Sequence, residues 1–190
     1  MKNIFLLSVM LFCFSCKAQQ EYPLNTIPSD IPDNSYIKDY NNELNPFIGI
    51  FKSTYNGNEV TLYISKNIKR QFTRNGTTIS HYFKDALLIK FIIKDSSGNT
   101  IQNTVDNNND NRHFIANTFI MPSQNIAKFY YTGADCGIGW GSIDIKKINN
   151  SQISWSYYPN STAINSVNCL NPVETAIYLP ETENLIFTKQ

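Results

Sequence analysis

Val60-Thr61-Leu62-Tyr63-Ile64-Ser65 puts an apolar residue at every second position, the period of a strand with one face in a core and the other in water. Leu87, Ile89, Phe91 and Ile93 repeat the pattern, opposed by Leu88, Lys90, Ile92 and Lys94. Ile153, Trp155 and Tyr157 alternate with Ser154, Ser156 and Tyr158. Further runs of strand character lie at 47–55, 77–83, 100–104, 114–121, 126–131, 142–148, 176–179 and 184–189. Turn formers stand between them: Asn56-Gly57, Asn75-Gly76, Ser97-Gly98-Asn99 and Asn149-Asn150. Regularly spaced short strands with no helical period between them predict an all-β, antiparallel meander of about 8–10 strands. A barrel is the expected form, because a next-neighbour meander closes and removes its own edges. A β-sandwich is the alternative. One short helix is expected first, capped by Ser35, running through Ile37, Tyr40 and Leu44, and ended by Pro46.

Working back to the N-terminus, Lys2 precedes an almost unbroken apolar run from Ile4 to Phe14, followed by Ser15-Cys16-Lys17-Ala18-Gln19-Gln20. The run is too short to span a bilayer, and a small residue stands before Cys16, as in an export signal. It resembles a bacterial lipoprotein signal, which implies cleavage before Cys16 and lipid on that cysteine. The position where such signals usually carry leucine is Cys13, and Phe14 is bulkier than the usual residue. The other readings are plain secretion with a cut after Ala18, or an uncleaved anchor. The chain divides into a signal (1–15), a lipidated cysteine with a proline-containing tether (16–34) and one β-domain (35–190). Pro23, Pro28 and Pro32 mark the tether as a semi-extended spacer without a core of its own. At ~3.3 Å per extended residue it would hold the domain tens of ångströms from a membrane.

Cleavage leaves about 175 of the 190 residues, enough for one domain with a sizeable core. The full chain has 16 basic and 15 acidic residues, and losing Lys2 makes it formally neutral. No basic stripe points to nucleic acid. Abundant asparagine, as in Asn107-Asn108-Asn109, marks loops. Cys136 and Cys169 are an even pair in an exported chain and fit a disulfide, the alternative being two buried thiols.

Two resemblances follow from these residues. Gly49-Ile50-Phe51 opening the first long strand, then a meander, resembles the lipocalin-type barrel. That family has Trp where this chain has Phe51, and an arginine near the last strand where Lys189 is the nearest base. Three pieces are also similar to a family of uncharacterised small lipoproteins from Bacteroidota. They are Ser15-Cys16-Lys17-Ala18-Gln19, Tyr36-Ile37-Lys38-Asp39 with Leu44 and Gly49 following, and Leu179-Pro180-Glu181-Thr182 leading into Leu185-Ile186-Phe187-Thr188-Lys189. The likeness implies fold and address and carries no functional residue.

Residues 132–141 hold four of the chain's eight glycines, which lets the backbone turn sharply or approach a ligand. The loop lacks the Gly-Lys-Ser/Thr ending of a phosphate loop. A nucleophile at Cys136 would need His81 or His113 in space. Asp106, Asn108 and Asp110 have the alternation of a calcium loop, but Asn111 stands where glycine is required and Asn117 where the bidentate glutamate belongs. Glu174, Glu181 and Glu183 are read as turn residues. Tyr130-Tyr131 and Tyr157-Tyr158 are doublets that must split across the two faces of their strands. With Trp140 and Trp155 they form the candidate ligand-binding set. No catalytic residue, metal ligand or cofactor is assigned.

The leading expectation is a lipid-anchored cell-envelope barrel, at an outer membrane facing the periplasm or cell surface, that binds a small apolar or amphipathic ligand or a protein partner. A solid barrel acting only through protein contacts is the alternative, and an envelope hydrolase the third.

Overall fold

The computed structural model describes residues 18–74, 80–106, 115–164, 169 and 176–190. Cys16, His113, Glu174 and most of the calcium-like loop lie outside them. Among the described residues there are eleven strands: β1 (Glu21–Pro23), β2 (Tyr36–Lys38), β3 (Gly49–Tyr55), β4 (Asn58–Arg74), β5 (Ser80–Lys94), β6 (Thr100–Asn103), β7 (Ile115–Met121), β8 (Ile126–Tyr131), β9 (Gly141–Lys147), β10 (Gln152–Pro159) and β11 (Leu185–Lys189). Eight of them, in the order β3-β4-β5-β7-β8-β9-β10-β11, pair antiparallel with next neighbours. The ring closes where Thr188 and Lys189 of β11 meet Lys52 and Phe51 of β3. This is a closed barrel of the lipocalin-like type.

The alternation read from sequence becomes the inside of the barrel. Val60, Leu62, Ile64, Leu87, Ile89, Phe91, Ile93, Ile153, Trp155, Tyr157 and Phe187 are all buried in one continuous core. Burying each large apolar side chain contributes roughly 1.5–3 kcal/mol. The β3–β4 hairpin turns at Asn56 (φ 50°) and Gly57 (φ 81°), the left-handed pair that a two-residue hairpin demands.

Four expectations are corrected. Residues 35–44 are not a helix: Tyr36–Lys38 pairs in parallel with β1 and with β5. Asp39 then accepts the backbone N–H groups of Glu43 (2.8 Å) and Leu44 (3.2 Å), closing a turn where a helix would have continued. Ile37 and Leu44 are fully buried while Tyr40 is exposed, so their helical spacing was coincidental. Residues 80–83 and the 87–94 run belong to a single strand, β5, and 176–179 is irregular chain that covers the barrel.

The fourth correction concerns the spacer. Leu24 and Ile31 are core residues, and Asn25 exchanges hydrogen bonds with the backbone of Ile120 (2.8 and 3.1 Å). From Gln19 onward this segment is part of the fold. It fits because one edge of β5 is shared: β2 takes Phe83 and Lys84, β7 takes Leu88 and Ile89, and β6 takes Ile92 to Lys94. Where β7 leaves β5, β2 and β1 fill the gap.

Strand directions define two ends. One carries the Asn56-Gly57 turn, the β5–β6 turn, the glycine loop and the segment 176–184; we call it the loop end. The other carries the end of β4 at Arg74 and the start of β5 at Ser80, the β9–β10 turn and the entry of the N-terminal chain; we call it the arm end.

Candidate functional site

The glycine loop is the connection between β8 and β9, at the loop end. It folds on itself through a short 3-10 turn, Asp135–Gly137. Ala134 and Ile138 bond through N–H to O at 2.7 Å. Gly133 makes this possible: at φ +90° it adopts a backbone that side chains disfavour, and a Cβ there would lie 2.5 Å from the Gly137 carbonyl carbon. Cys136 is joined to Cys169 by a disulfide, with Cα atoms 5.5 Å apart, so the pairing read from sequence is present. Thr162 Oγ1 donates to the Gly137 carbonyl (2.9 Å), and Asn160 N donates to that of Trp140 (2.7 Å). The loop is therefore braced from two sides.

The two tyrosine doublets split as strand geometry requires. Tyr131 and Tyr157 are buried, while Tyr130 and Tyr158 are 43% and 44% exposed. Inside, ring contacts run from Phe91 to Tyr131 (6.5 Å between centroids), Tyr157 (6.3 Å), Trp155 (6.1 Å) and Phe187 (6.0 Å). These rings come from β5, β8, β10 and β11 and cross the interior. Two of them spend their polar ends on the covering chain. Trp155 Nε1 donates to the Pro180 carbonyl at 2.9 Å, and the Tyr157 hydroxyl donates to that of Gly139. Burial pushes the Tyr131 and Tyr157 hydroxyl pKa values well up, with Asp135 adding to the first and Tyr131 and Glu181 to the second. Between the glycine loop, Tyr131 and residues 176–179 the structure leaves a crevice of about 10 Å³, room for no more than one water.

Outside, Tyr130 of β8 and Tyr158 of β10 flank Ser142 of β9 in one cross-strand row. The Trp140 ring lies 6.3 Å from that of Tyr130, and its indole N–H reaches the Ser161 carbonyl at 3.3 Å. Three aromatics thus share an outer surface beside the braced loop. Such side chains combine apolar area with a polar tip, the type enriched where proteins meet.

The remaining candidates do not converge on one another. Cys136 is spent in the disulfide and is no thiol nucleophile. His81, on the β4–β5 arm, faces Thr73 (3.4 Å). Asp106 accepts from Asn103 (2.7 Å), and Asn117 is buried in β7, accepting the Leu87 N–H (2.6 Å). Glu181 and Glu183 are exposed before β11. Among the described residues, no three His, Cys, Asp or Glu side chains gather as a metal site would require.

Sequence reasoning missed two polar clusters. Asp85, in β5, accepts from Tyr36 Oη (2.6 Å), Lys69 N (2.9 Å) and Asp39 N (3.1 Å). Asp39 in turn pairs with Lys66 (2.8 Å). Burial pushes the Asp85 carboxyl up, but the three hydrogen bonds and nearby Lys66 outweigh it and hold the pKa below the usual carboxylate range. Lys69 reaches Asp85 because β4 bulges between Asn67 and Arg70, with Lys69 left-handed at φ 53°. The second cluster is Lys84, 5% exposed, whose ammonium donates to the carbonyls of Thr118 (3.0 Å) and Asn117 (3.5 Å). Burial lowers its pKa to about 8. The readable signal was an acid and a base set directly before the apolar Ala86-Leu87. Both clusters fasten the N-terminal segment and β7 to β5, a structural task.

Over residues 1–190 the chain matches a family of unknown function, DUF6705. The chain belongs to that family. No curated protein and no solved structure matches it. For DUF6705, then, function has to be read from this barrel's own geometry.

Proposed function

We propose that this DUF6705 member is a lipid-anchored cell-envelope protein that acts through its outer surface, its braced loop end meeting a protein partner. The carrying observation is how the interior aromatics are used. Trp155 and Tyr157 give their only side-chain donors to the carbonyls of Pro180 and Gly139, so the side chains best suited to grip a guest inside the barrel hold its own cover instead. Tyr130, Trp140 and Tyr158 supply the outward surface, and the disulfide fixes the loop beside them. Lipid attachment at Cys16 is supported by the Ser15-Cys16 signal alone. This reading places weight on the solid-barrel alternative and takes it from the small apolar ligand.

Native mass spectrometry of protein released gently from its own membranes tests the reading. The expected spectrum is the acylated chain without a stoichiometric small-molecule adduct. A bound apolar molecule of constant mass would overturn it in favour of an interior ligand. Metabolic labelling with an alkynyl fatty acid tests the anchor, with Cys16→Ala expected to abolish the label.

A further inference from the structure

We infer that the arm end of the barrel lies against the bilayer surface, held there by a leash of about four residues, so that the disulfide-braced loop end points away from the membrane. The inference rests on lipid attachment at Cys16. Its basis is where the chain becomes fixed to the fold. The Tyr36 N–H bonds the Gln20 carbonyl at 2.8 Å, and Gln19 Nε2 donates to the Asn34 carbonyl at 2.7 Å. Directly after these, Glu21 opens β1 and pairs with Lys38 at 2.9 Å. Only Lys17, Ala18 and Gln19 separate Cys16 from Gln20. Fully extended, the four steps from Cys16 to Gln20 span about 14 Å.

The level at which the chain enters is set by the register. Ser35 O bonds Phe83 N at 2.8 Å, and Asn34 N bonds His81 O at 2.7 Å, so Gln19 and Gln20, across β2, lie level with the first residues of β5. The far end of β5, at Lys94, is roughly 40 Å further along the strand at 3.4 Å per residue. A leash of that length cannot bring the loop end down to the lipid. It does bring down the arm end, and the arm end carries groups suited to a lipid surface. Ile27, in the loop that Arg74 holds through Pro28 and Ile31, is 61% exposed. Ile148, in the β9–β10 turn, is 48% exposed and follows Lys146 and Lys147. Apolar tips beside lysines are what the interfacial zone of a bilayer accepts.

The test uses full-length acylated protein in vesicles containing lipids with a nitroxide on the headgroup. A fluorophore is placed at Ile148→Cys, at Ile27→Cys as an independent arm-end position, or at Ser97→Cys in the β5–β6 turn. Quenching is expected at positions 148 and 27, with emission retained at 97. Inserting a ten-residue Gly-Ser segment after Lys17 should relieve the quenching at 148. Equal quenching at 97 and 148 in protein that carries the fatty acid would overturn the orientation while leaving the anchor intact. Absence of the fatty acid itself would overturn both, and labelling of the same samples separates the two failures.

Discussion

The ammonium of Lys189 lies 5.8 Å from the centroid of the Phe51 ring and donates to the Ile48 carbonyl at 3.0 Å. These residues sit on β11 and β3, at the seam where the barrel closes. Phe51 stands where the lipocalin-type motif has Trp, and Lys189 is the base nearest to its missing arginine; the fold brings the two into contact. A Cβ on Gly49 would fall 2.6 Å from Lys189 Cε, so the lysine stem lies flat over the seam.

Removing that cation should loosen closure modestly. Cation–π pairs at partly exposed sites are worth about 0.5–1 kcal/mol. Lys189→Ala is expected to lower denaturant stability by about 1 kcal/mol, and Lys189→Met by less because the stem still packs. A double-mutant cycle with Phe51→Leu would measure the coupling, and strict additivity would show that the contact is idle.

Stability should rise with pH between about 8 and 10. In the fold Lys84 titrates at about 8 against an ordinary 10.5. The unfolded chain therefore binds more protons across that window, and deprotonation favours the fold. Below pH 8 both states are charged and the slope vanishes. Above pH 10 the raised hydroxyls of Tyr36, Tyr131 and Tyr157 act the other way, because the unfolded chain ionises first. Keeping Lys84 charged costs on the order of 3 kcal/mol at neutral pH. Urea titrations from pH 7 to 10 should show the rise, and Lys84→Met should flatten it.

Asp85→Ala should release the N-terminal segment first. It leaves the Tyr36 hydroxyl and the N–H groups of Lys69 and Asp39 without their acceptor, and buried groups so orphaned cost about 1–3 kcal/mol each. A loss of at least about 3 kcal/mol is expected, with proteolysis appearing between residues 19 and 44 before the barrel is cut. Because the Asp85 pKa is depressed in the fold, its contribution is present above the ordinary carboxylate range and lost as pH falls below it. Cleavage spread evenly over the chain would refute the local role.

Reduction of Cys136–Cys169 should also weaken the fold. The bridge closes a 33-residue separation, worth about 4 kcal/mol in the chain-entropy account. A Cys136→Ser, Cys169→Ser variant should unfold at lower denaturant while keeping its far-ultraviolet spectrum. An unchanged midpoint would show that hydrogen bonds alone hold the loop.

What was legible in the sequence follows the physics of each element. Alternation in Val60–Ser65, Leu87–Lys94 and Ile153–Tyr158 announces strands because period two is dictated by the backbone, and Asn56-Gly57 announces its turn for the same reason. The doublets also split as strand geometry requires. Ser35 to Leu44 misled because three apolar residues at helical spacing are too few to outweigh a side-chain cap from Asp39 and pairing with β5, which is distant in sequence. The spacer misled likewise: prolines signal extended chain, but only the opening beside β7 shows where that chain docks. Tyr130, Trp140 and Tyr158 could be named as aromatics, while their gathering around Ser142 depends on register across three strands.

The most direct test of the central claim is photo-crosslinking in native membranes from a photoreactive residue at Tyr158, compared with one at Lys146 near the arm end. The account predicts one discrete protein adduct from position 158, lost in Trp140→Ala and in the disulfide-free variant, and no such adduct from position 146. Adducts of equal yield from both positions, or an adduct at 158 indifferent to Trp140 and to the disulfide, would contradict it.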